Sequence, residues 1–228
     1  VGTKNTLFDG RVTWNNSLFY MDFKDFQLAA PVTFPDGSRG LAFSNVSGST
    51  KVYGFESELT VRPTADDLLQ VSVSFLHTKL GTLLYAGSND YGGLPPCATP
   101  FIASCMDVTG NDLAHSPDFS GQFVYQHDFH VGGEATVTPR ISAHYETSSW
   151  LSVFNLGPGD KQKAYHRTDL SLTYRSGGDT PWSVEAFVQN VEDGKIRTNA
   201  GRTGDPVPIY TSQYLPPRTF GVNVGYKF

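Results

Sequence analysis

The stretch Ala-Thr-Val-Thr-Pro-Arg-Ile-Ser-Ala-His-Tyr-Glu at 135–146 alternates between apolar and polar side chains without a break. In an extended chain the apolar set falls on one face, and the polar set, with Arg140, His144 and Glu146, falls on the other. Strands of globular proteins commonly have about 5–6 residues, whereas a tilted strand needs about 9–11 to cross a bilayer. The length of this run therefore predicts a transmembrane β-strand.

The same alternation recurs along the chain and ends in an aromatic strand, with Phe220, Val222, Val224, Tyr226 and Phe228 on one face. Short turns alternate strictly with longer connections, as expected for periplasmic turns and extracellular loops. We therefore predict an all-β fold, an antiparallel transmembrane β-barrel. The nine predicted strands span about 1–7, 12–30, 42–62, 68–85, 114–129, 134–151, 161–175, 181–193 and 210–228.

Composition supports a sheet with one apolar and one wet face. Only 39% of residues are hydrophobic, below the roughly 45–50% of soluble domains, yet 13% are aromatic. The net charge of −5 argues against a nucleic-acid partner, which would require clustered Lys and Arg. Aromatic girdles mark the membrane interfaces of such barrels. We assign that role to Trp14, Tyr20, Tyr53, Tyr145, Trp182 and Tyr226.

The strand count has a consequence for the completeness of the barrel. Nine is odd, whereas bacterial single-chain barrels have an even number of strands. An open sheet would also leave two unpaired edges in lipid, where backbone groups must be satisfied within the protein. We therefore expect that residues 1–228 do not close a barrel alone, and that the rest of the barrel is either missing or supplied elsewhere. Because the sequence begins at Val1 without Met and soon enters a predicted strand, we also expect that an N-terminal portion is missing.

Five stretches are spread along almost the whole chain: FDGRVTWNNSLFYMDFKDFQL (8–28), NVSGSTKVYGFESELTVRPTADDLLQVSVSFLHT (45–78), LAHSPDFSGQFVYQHDF (113–129), FVQNVEDGKI (187–196) and YLPPRTFGVNVGYKF (214–228). In this order they resemble the C-terminal barrel region of TonB-dependent outer-membrane receptors. Asn190 and Asp193 occupy the Asn and Asp positions of one family segment, and the terminal stretch has the family's Pro-Arg-Thr-Phe-Gly strand.

The resemblance implies a 22-stranded barrel with a plugged lumen, in the outer membrane of a Gram-negative bacterium. It implies uptake of a scarce nutrient such as a ferric siderophore, haem, cobalamin or an oligosaccharide, driven through TonB. The plug domain and the TonB-contacting segment are absent from 1–228. The terminal Phe228 resembles the signal that the barrel-assembly machinery reads. No cofactor is implied, and the partners are outer-membrane lipid, the nutrient, TonB and that machinery.

Ligand contacts are expected inside the barrel and on the long connections, where Arg and aromatic groups supply bidentate and stacking contacts. The alternative is that each of these side chains is simply solvated. The candidates are Tyr85, Tyr91, Arg140, His144, Glu146, Arg197, Arg202 and Tyr210. In an oxidising compartment Cys97 and Cys105 would form a small loop disulfide; otherwise both are free thiols.

Catalytic and metal sites find less support. Glu56 and Glu58 lie two apart on one strand face, roughly 7 Å between Cα atoms, a spacing usable by a glycosidase pair or by two solvated carboxylates near Arg62. His127 and His130 have no third ligand at a sensible spacing. We therefore predict a non-enzyme without a metal site. The alternatives are a passive porin, a soluble β-rich carbohydrate-binding module and, third, an enzymatic outer-membrane barrel.

Overall fold

The computed structural model describes residues 1–33, 39–86, 105–155, 157–178, 182–203 and 209–226. Apart from a short 3-10 turn at Pro158–Asp160, its regular elements are strands. In chain order they are β1 (Gly2–Leu7), β2 (Val12–Lys24), β3 (Gln27–Thr33), β4 (Arg39–Asn45), β5 (Ser49–Val61), β6 (Asp67–Lys79), β7 (Leu84–Ala86), β8 (Cys105–Asp107), β9 (Phe119–His127), β10 (Phe129–His130), β11 (Thr136–Glu146), β12 (Ser149–Trp150), β13 (Lys161–Gln162), β14 (Tyr165–Arg175), β15 (Trp182–Gln189), β16 (Arg197–Thr203), β17 (Ile209–Tyr214) and β18 (Thr219–Tyr226).

One antiparallel sheet runs through the molecule in the order β1-β2-β5-β6-β9-β11-β14-β15-β18. Strand β10 continues β9 in the same alignment against β11, since Gln126 faces Arg140 and Phe129 faces Val137. The two therefore act as one strand interrupted at Asp128. The all-β antiparallel fold and the path of nine strands agree with the sequence prediction.

The connections differ at the two ends of this sheet. Four two-stranded hairpins, β3–β4, β7–β8, β12–β13 and β16–β17, interrupt the long connections at one end, which we call the hairpin end. The other end carries the short connections, including those at 8–11 and 62–66. Long extracellular loops opposite short periplasmic turns are typical of outer-membrane barrels, which places the hairpin end outside the cell.

The hairpins correct the predicted strand bounds. Sequence alternation extends one strand over 12–30, but the structure ends β2 at Lys24 and starts β3 at Gln27. Asp25 has a φ of 55°, a left-handed conformation that extended chain does not adopt. Gly48 before β5 has a φ of 76°. The chain therefore turns out of the main sheet and back into it, and alternation alone does not reveal either bend.

Large apolar side chains cover one face of the main sheet, which we call the apolar face. One row of this face crosses five neighbouring strands, and each of its members is the register partner of the next. The row is Tyr125, Ile141, Leu170, Val188 and Phe220. Leu172 and Phe220 are 51% and 79% exposed. Among the described residues, no second layer of the sheet covers this face. An exposed apolar wall of this extent indicates contact with lipid rather than a two-sheet sandwich.

Aromatic rings lie on the apolar face near both ends of the strands. Tyr20 and Tyr53 stack near the hairpin end with ring centroids 6.1 Å apart. Near the other end, Trp182 faces Tyr226 across β15 and β18. Trp14 lies six residues before Tyr20 on β2, about 20 Å along the strand, and its Nε1 donates to Ser57 Oγ at 2.9 Å. The two bands thus bracket an apolar belt.

A small apolar core lies at the hairpin end rather than within the main sheet. Val46, Leu80, Leu83 and Val108 are buried together there. Partly buried side chains that pack against them are Phe26, Leu28, Leu113 and Phe154. The core, which we call the rim core, joins the bases of hairpins β3–β4 and β7–β8. Within the described part of the chain, no helix has both the length and the hydrophobicity needed to cross a membrane.

Candidate functional site

The face opposite the apolar face is polar, and three of the predicted ligand residues share it on β11. Arg140 Nη1 donates to Gln126 Oε1 of β9 at 2.8 Å. His144 Nε2 lies 2.8 Å from Glu146 Oε1. The His144 side chain is 36% exposed and that of Glu146 26%, so both remain open to a molecule that approaches the polar face near the hairpin end.

The neighbouring strand β14 adds an ion pair to this group. Arg167 Nε and Nη2 donate to the two carboxylate oxygens of Asp169 at 3.0 and 3.2 Å. Arg167 is the register partner of His144, so the two lie side by side. We call Gln126, Arg140, His144, Glu146, Arg167 and Asp169 the polar-face cluster. Planar guanidinium and imidazole groups beside carboxylates suit recognition of a ligand with both oxygen donors and acceptors.

Arg167 and Asp169 are not among the ligand residues predicted from the sequence. A signal was available, because residues 165–173 alternate with Arg167, Asp169 and Ser171 on one face and Leu170 and Leu172 on the other. That alternation predicts a polar-face position for Arg167 and Asp169. It does not predict the register between this strand and β11, which places Arg167 next to His144.

The two glutamates of β5 lie on the same polar face as His144. A groove of about 270 Å³ is lined by Glu56, Glu58, Ser72, Gln122 and His144, among others. A second groove of about 440 Å³ continues past the same two glutamates to Lys4 and Asn15. Neither glutamate makes a hydrogen bond or ion pair with the described residues. The pair therefore lies along an open polar channel and does not form an enclosed two-carboxylate site.

Arg197 occupies a different setting from the cluster. Its Nη1 donates to the backbone oxygen of Gly159 at 2.9 Å, and its Nη2 donates to that of Lys161. Its backbone N–H donates to Gln162 Oε1 at 2.8 Å. These contacts fasten the start of β16 to the connection 157–162. The guanidinium thus stabilises the connection 157–162 at the hairpin end. Its role as a ligand contact stays a prediction.

The remaining predicted residues lie on the hairpins or outside the described residues. Arg202 and Tyr210 are direct register partners on β16 and β17. Tyr85 is on β7, and Cys105 on β8 is the register partner of Ala86. Tyr91, Cys97 and Phe228 lie outside the described residues, so the disulfide and the terminal signal stay predictions.

Two motif residues at the end of β15 are structural. Asn190 is 1% exposed, and its Nδ2 donates to the backbone oxygens of Gly194 at 3.1 Å and Pro216 at 3.2 Å. Its Oδ1 accepts from Gly194 N at 2.9 Å. Asp193 Oδ1 accepts from the backbone N–H of Arg218 at 2.9 Å. Asn190 and Asp193 thus tie this segment to the residues that lead into the terminal strand.

The two histidines near the short-connection end contact different aspartates. His127 Nδ1 is 2.7 Å from Asp67 Oδ1, and His130 Nε2 is 2.9 Å from Asp66 Oδ1. Across the described ranges, no three His, Cys, Asp or Glu side chains converge as a metal site would require. The polar-face cluster is therefore the strongest candidate site in this part of the protein.

Comparison with solved structures identifies the architecture. The ferric yersiniabactin uptake receptor of Yersinia pestis aligns with 100% of this chain at 19% identity and a TM-score of 0.70. The siderophore receptor PiuA of Acinetobacter baumannii aligns with 99% at 17% identity and 0.67. The ferripyoverdine receptor of the Pseudomonas aeruginosa outer membrane aligns with 98% at 18% identity and 0.62. The chain spans 29%, 27% and 26% of those proteins.

Comparison with sequence families gives a direct assignment. None of the curated proteins matches the chain. The family model described as TonB dependent receptor-like, beta-barrel, matches residues 1–191, which include β1 to β15. Proteins of this kind reside in the outer membrane of Gram-negative bacteria, in agreement with the exposed apolar face. The chain belongs to the family of TonB-dependent receptor-like β-barrels.

Proposed function

We propose that the protein containing this chain takes up a scarce nutrient across the outer membrane in a TonB-dependent manner, with a ferric siderophore as the leading candidate. The observation that carries this is the pairing of an exposed apolar wall with a polar-face cluster near the hairpin end. Three aligned structures are siderophore receptors by name, which favours a siderophore over haem, cobalamin or an oligosaccharide.

The same pairing weighs against the alternatives. A soluble carbohydrate-binding module of two packed sheets would bury the side chains around Ile141 and Leu170, whereas Leu170 is 42% exposed. A passive porin would share the wall but would not depend on TonB. An enzymatic barrel would need a preorganised nucleophile and base. In the polar-face cluster, Glu146 contacts His144 and Asp169 contacts Arg167. The cluster itself contains no Ser, Thr or Cys nucleophile, and we assign it to binding rather than catalysis.

We assign ligand contact to Arg140, His144 and Glu146 in the barrel and to Arg202 and Tyr210 on hairpin β16–β17. A ligand that enters from the hairpin end meets the hairpin first and the cluster afterwards. Hydrogen bonds to charged groups are worth about 1.5–3 kcal/mol each, so a few such contacts give a specific site. The further partners that we propose are TonB and the barrel-assembly machinery, the latter through Phe228.

Uptake in a deletion strain tests the transport role. The intact gene is deleted, and accumulation of 55Fe is measured with three separate probes. These are ferric yersiniabactin, ferripyoverdine and ferric preacinetobactin, the last being named for another aligned receptor, BauA of Acinetobacter baumannii. We expect one or more probes to lose uptake, and the intact gene to restore it only when TonB is present. Restored uptake without TonB would indicate a porin. Normal uptake of all three probes in the deletion strain would refute the role for this set.

Substitutions in the polar-face cluster test the site. H144A/E146Q in the intact receptor is expected to reduce binding of the transported probe by about tenfold or more, because hydrogen bonds to charged groups are lost. S171A is the matched control, since Ser171 faces Arg140 on the same polar face without carrying a charge. Equal losses in both variants would argue against the cluster as the binding site.

A further inference from the structure

Three lysines lie together on the apolar face at the hairpin end. Lys51 and Lys79 are direct register partners on β5 and β6. Lys24 is the register partner of Ser49 on β2 and β5, so it lies diagonally next to Lys51, about 7–8 Å away by ordinary strand geometry. All three side chains are exposed. We call Lys24, Lys51 and Lys79 the lysine rim.

Within the described residues, the lysine rim brings three positive charges together with a single acid at this end of the apolar face. Like charges placed directly opposite each other destabilise a sheet, yet none of the three ammonium groups makes an ion pair or hydrogen bond with the described residues. One described acid shares this end of the face with the lysines: Asp22 is the register partner of Lys51 and lies directly opposite it. Its carboxylate accepts a hydrogen bond from Ser49 Oγ. The arrangement therefore favours an external anion between the lysines.

The lysine rim lies next to an aromatic band, and this position indicates which kind of molecule carries the anion. Tyr53 lies two residues beyond Lys51, about 7 Å along the strand, and it contacts Tyr20 and His77, with centroids 6.1 and 4.9 Å apart. Below this aromatic band the wall is apolar, with Leu18 62% and Phe75 50% exposed. An anion that sits above the band thus lies at the level of lipid headgroups in the outer leaflet.

We propose that the lysine rim binds the phosphate groups of a phosphorylated glycolipid in the outer leaflet, with the sugar against Tyr20 and Tyr53 and the acyl chains along the apolar wall below. A soluble phosphate would use the lysines alone and would gain nothing from the adjacent wall. The site lies on the face opposite the polar-face cluster, so this proposal and the proposed uptake stand or fall separately.

The test compares two lipids on the intact receptor in detergent micelles by native mass spectrometry. The probes are bisphosphorylated lipid A and the same lipid with both phosphates removed. We expect wild-type receptor to bind the phosphorylated lipid at least about tenfold more tightly, since each basic residue near an anionic surface contributes about a factor of five. Inorganic phosphate at millimolar concentration should not displace it. Equal binding of the two lipids, or displacement by phosphate, would overturn the proposal.

Variants locate the site. K24Q/K51Q/K79Q is expected to bring binding of the phosphorylated lipid down to the level of the dephosphorylated one. K4Q/K163Q/K195Q removes the same total charge from positions off the lysine rim and should retain binding within about twofold. K24R/K51R/K79R, which keeps the charge, should also retain it. Equal loss in the two glutamine variants would show a non-specific charge effect and would contradict the lysine rim as the site.

Discussion

The ring of Phe187 lies over Gly221, its direct partner across β15 and β18, so closely that a methyl group on Gly221 would come within 2.8 Å of the ring Cζ. Phe19 and Gly54 repeat the arrangement on β2 and β5, where the added methyl would come within 2.9 Å of the ring. In both pairs a phenylalanine on the polar face covers the backbone of a glycine, the arrangement known as aromatic rescue. These glycines are therefore contact sites, not gaps in the wall.

Gly221→Ala is expected to destabilise the barrel by about 1–3 kcal/mol, the usual cost of overpacking. F187L/G221A should recover part of the loss, because the smaller side chain leaves room for the methyl group. The measurement is the unfolding midpoint of the intact receptor in urea. Strictly additive effects of the two substitutions would contradict the contact.

Asn190→Ala is expected to lower stability by about 1–3 kcal/mol, because Gly194 and Pro216 lose their side-chain partner in a buried position. The same urea titration measures it. Asn199→Ala is the control, since Asn199 is exposed on β16. If the two variants unfold alike, the hydrogen bonds of Asn190 do not hold the segment before the terminal strand.

Leu80→Ala removes a large side chain, 3% exposed, from the rim core. The expected loss is about 2–5 kcal/mol in the local opening free energy of the hairpin bases, while the main sheet remains folded. Hydrogen exchange at Val108 and Gly110 measures it, since their N–H groups donate to Leu83 and Leu80. Val131→Ala, at a position 45% exposed, serves as the control. Unchanged protection in Leu80→Ala would exclude a stabilising rim core.

Arg197→Ala is expected to loosen the connection 157–162, which depends on the guanidinium for two carbonyl contacts. Arg197→Lys should loosen it as well, because an ammonium group lacks the planar fork of donors. The readout is the rate at which endoproteinase Lys-C cleaves after Lys161 and Lys163 in intact cells. Lys195→Ala, exposed on the connection between β15 and β16, should cleave like wild type at these two sites. Cleavage at the wild-type rate in both Arg197 variants would contradict the proposal that the guanidinium holds this connection in place.

Asp107 gives the hairpin end a dependence on pH. Hydrogen bonds from the side chain and the backbone N–H of Thr109 hold the pKa of the Asp107 carboxyl below its usual range. A lowered pKa means that this stabilisation is present above the ordinary carboxyl range and disappears as the pH falls through the lowered value. We expect hydrogen exchange at Thr109, corrected for intrinsic rates, to accelerate over that acidic window. Asp107→Asn should remove the acceleration; its persistence would assign it to another group.

The alternation of apolar and polar residues predicts the apolar face, because a strand has only two faces and here one contacts lipid while the other contacts water. Ile141 and Arg140 therefore reveal their faces from sequence alone. Three features depend on contacts between distant segments and were not predictable. These are the bend at Asp25 that sends β3 into a hairpin, the grip of Arg197 on the connection 157–162, and the placement of Phe187 over Gly221. Phe187 is the one large apolar side chain among Ser183, Glu185 and Gln189 on the polar face of its strand, and its partner Gly221 lies 34 residues further on.

The rim core has a consequence for molecular recognition. Free loops must lose conformational entropy when a ligand orders them, and each immobilised side chain costs about 0.5–1.5 kcal/mol of affinity. Val46, Leu80, Leu83 and Val108 already fix the bases of two hairpins against each other. A ligand that binds at this end therefore contacts hairpins whose bases are already ordered. Less of the free energy of its contacts is lost to ordering the protein, and its affinity is correspondingly higher.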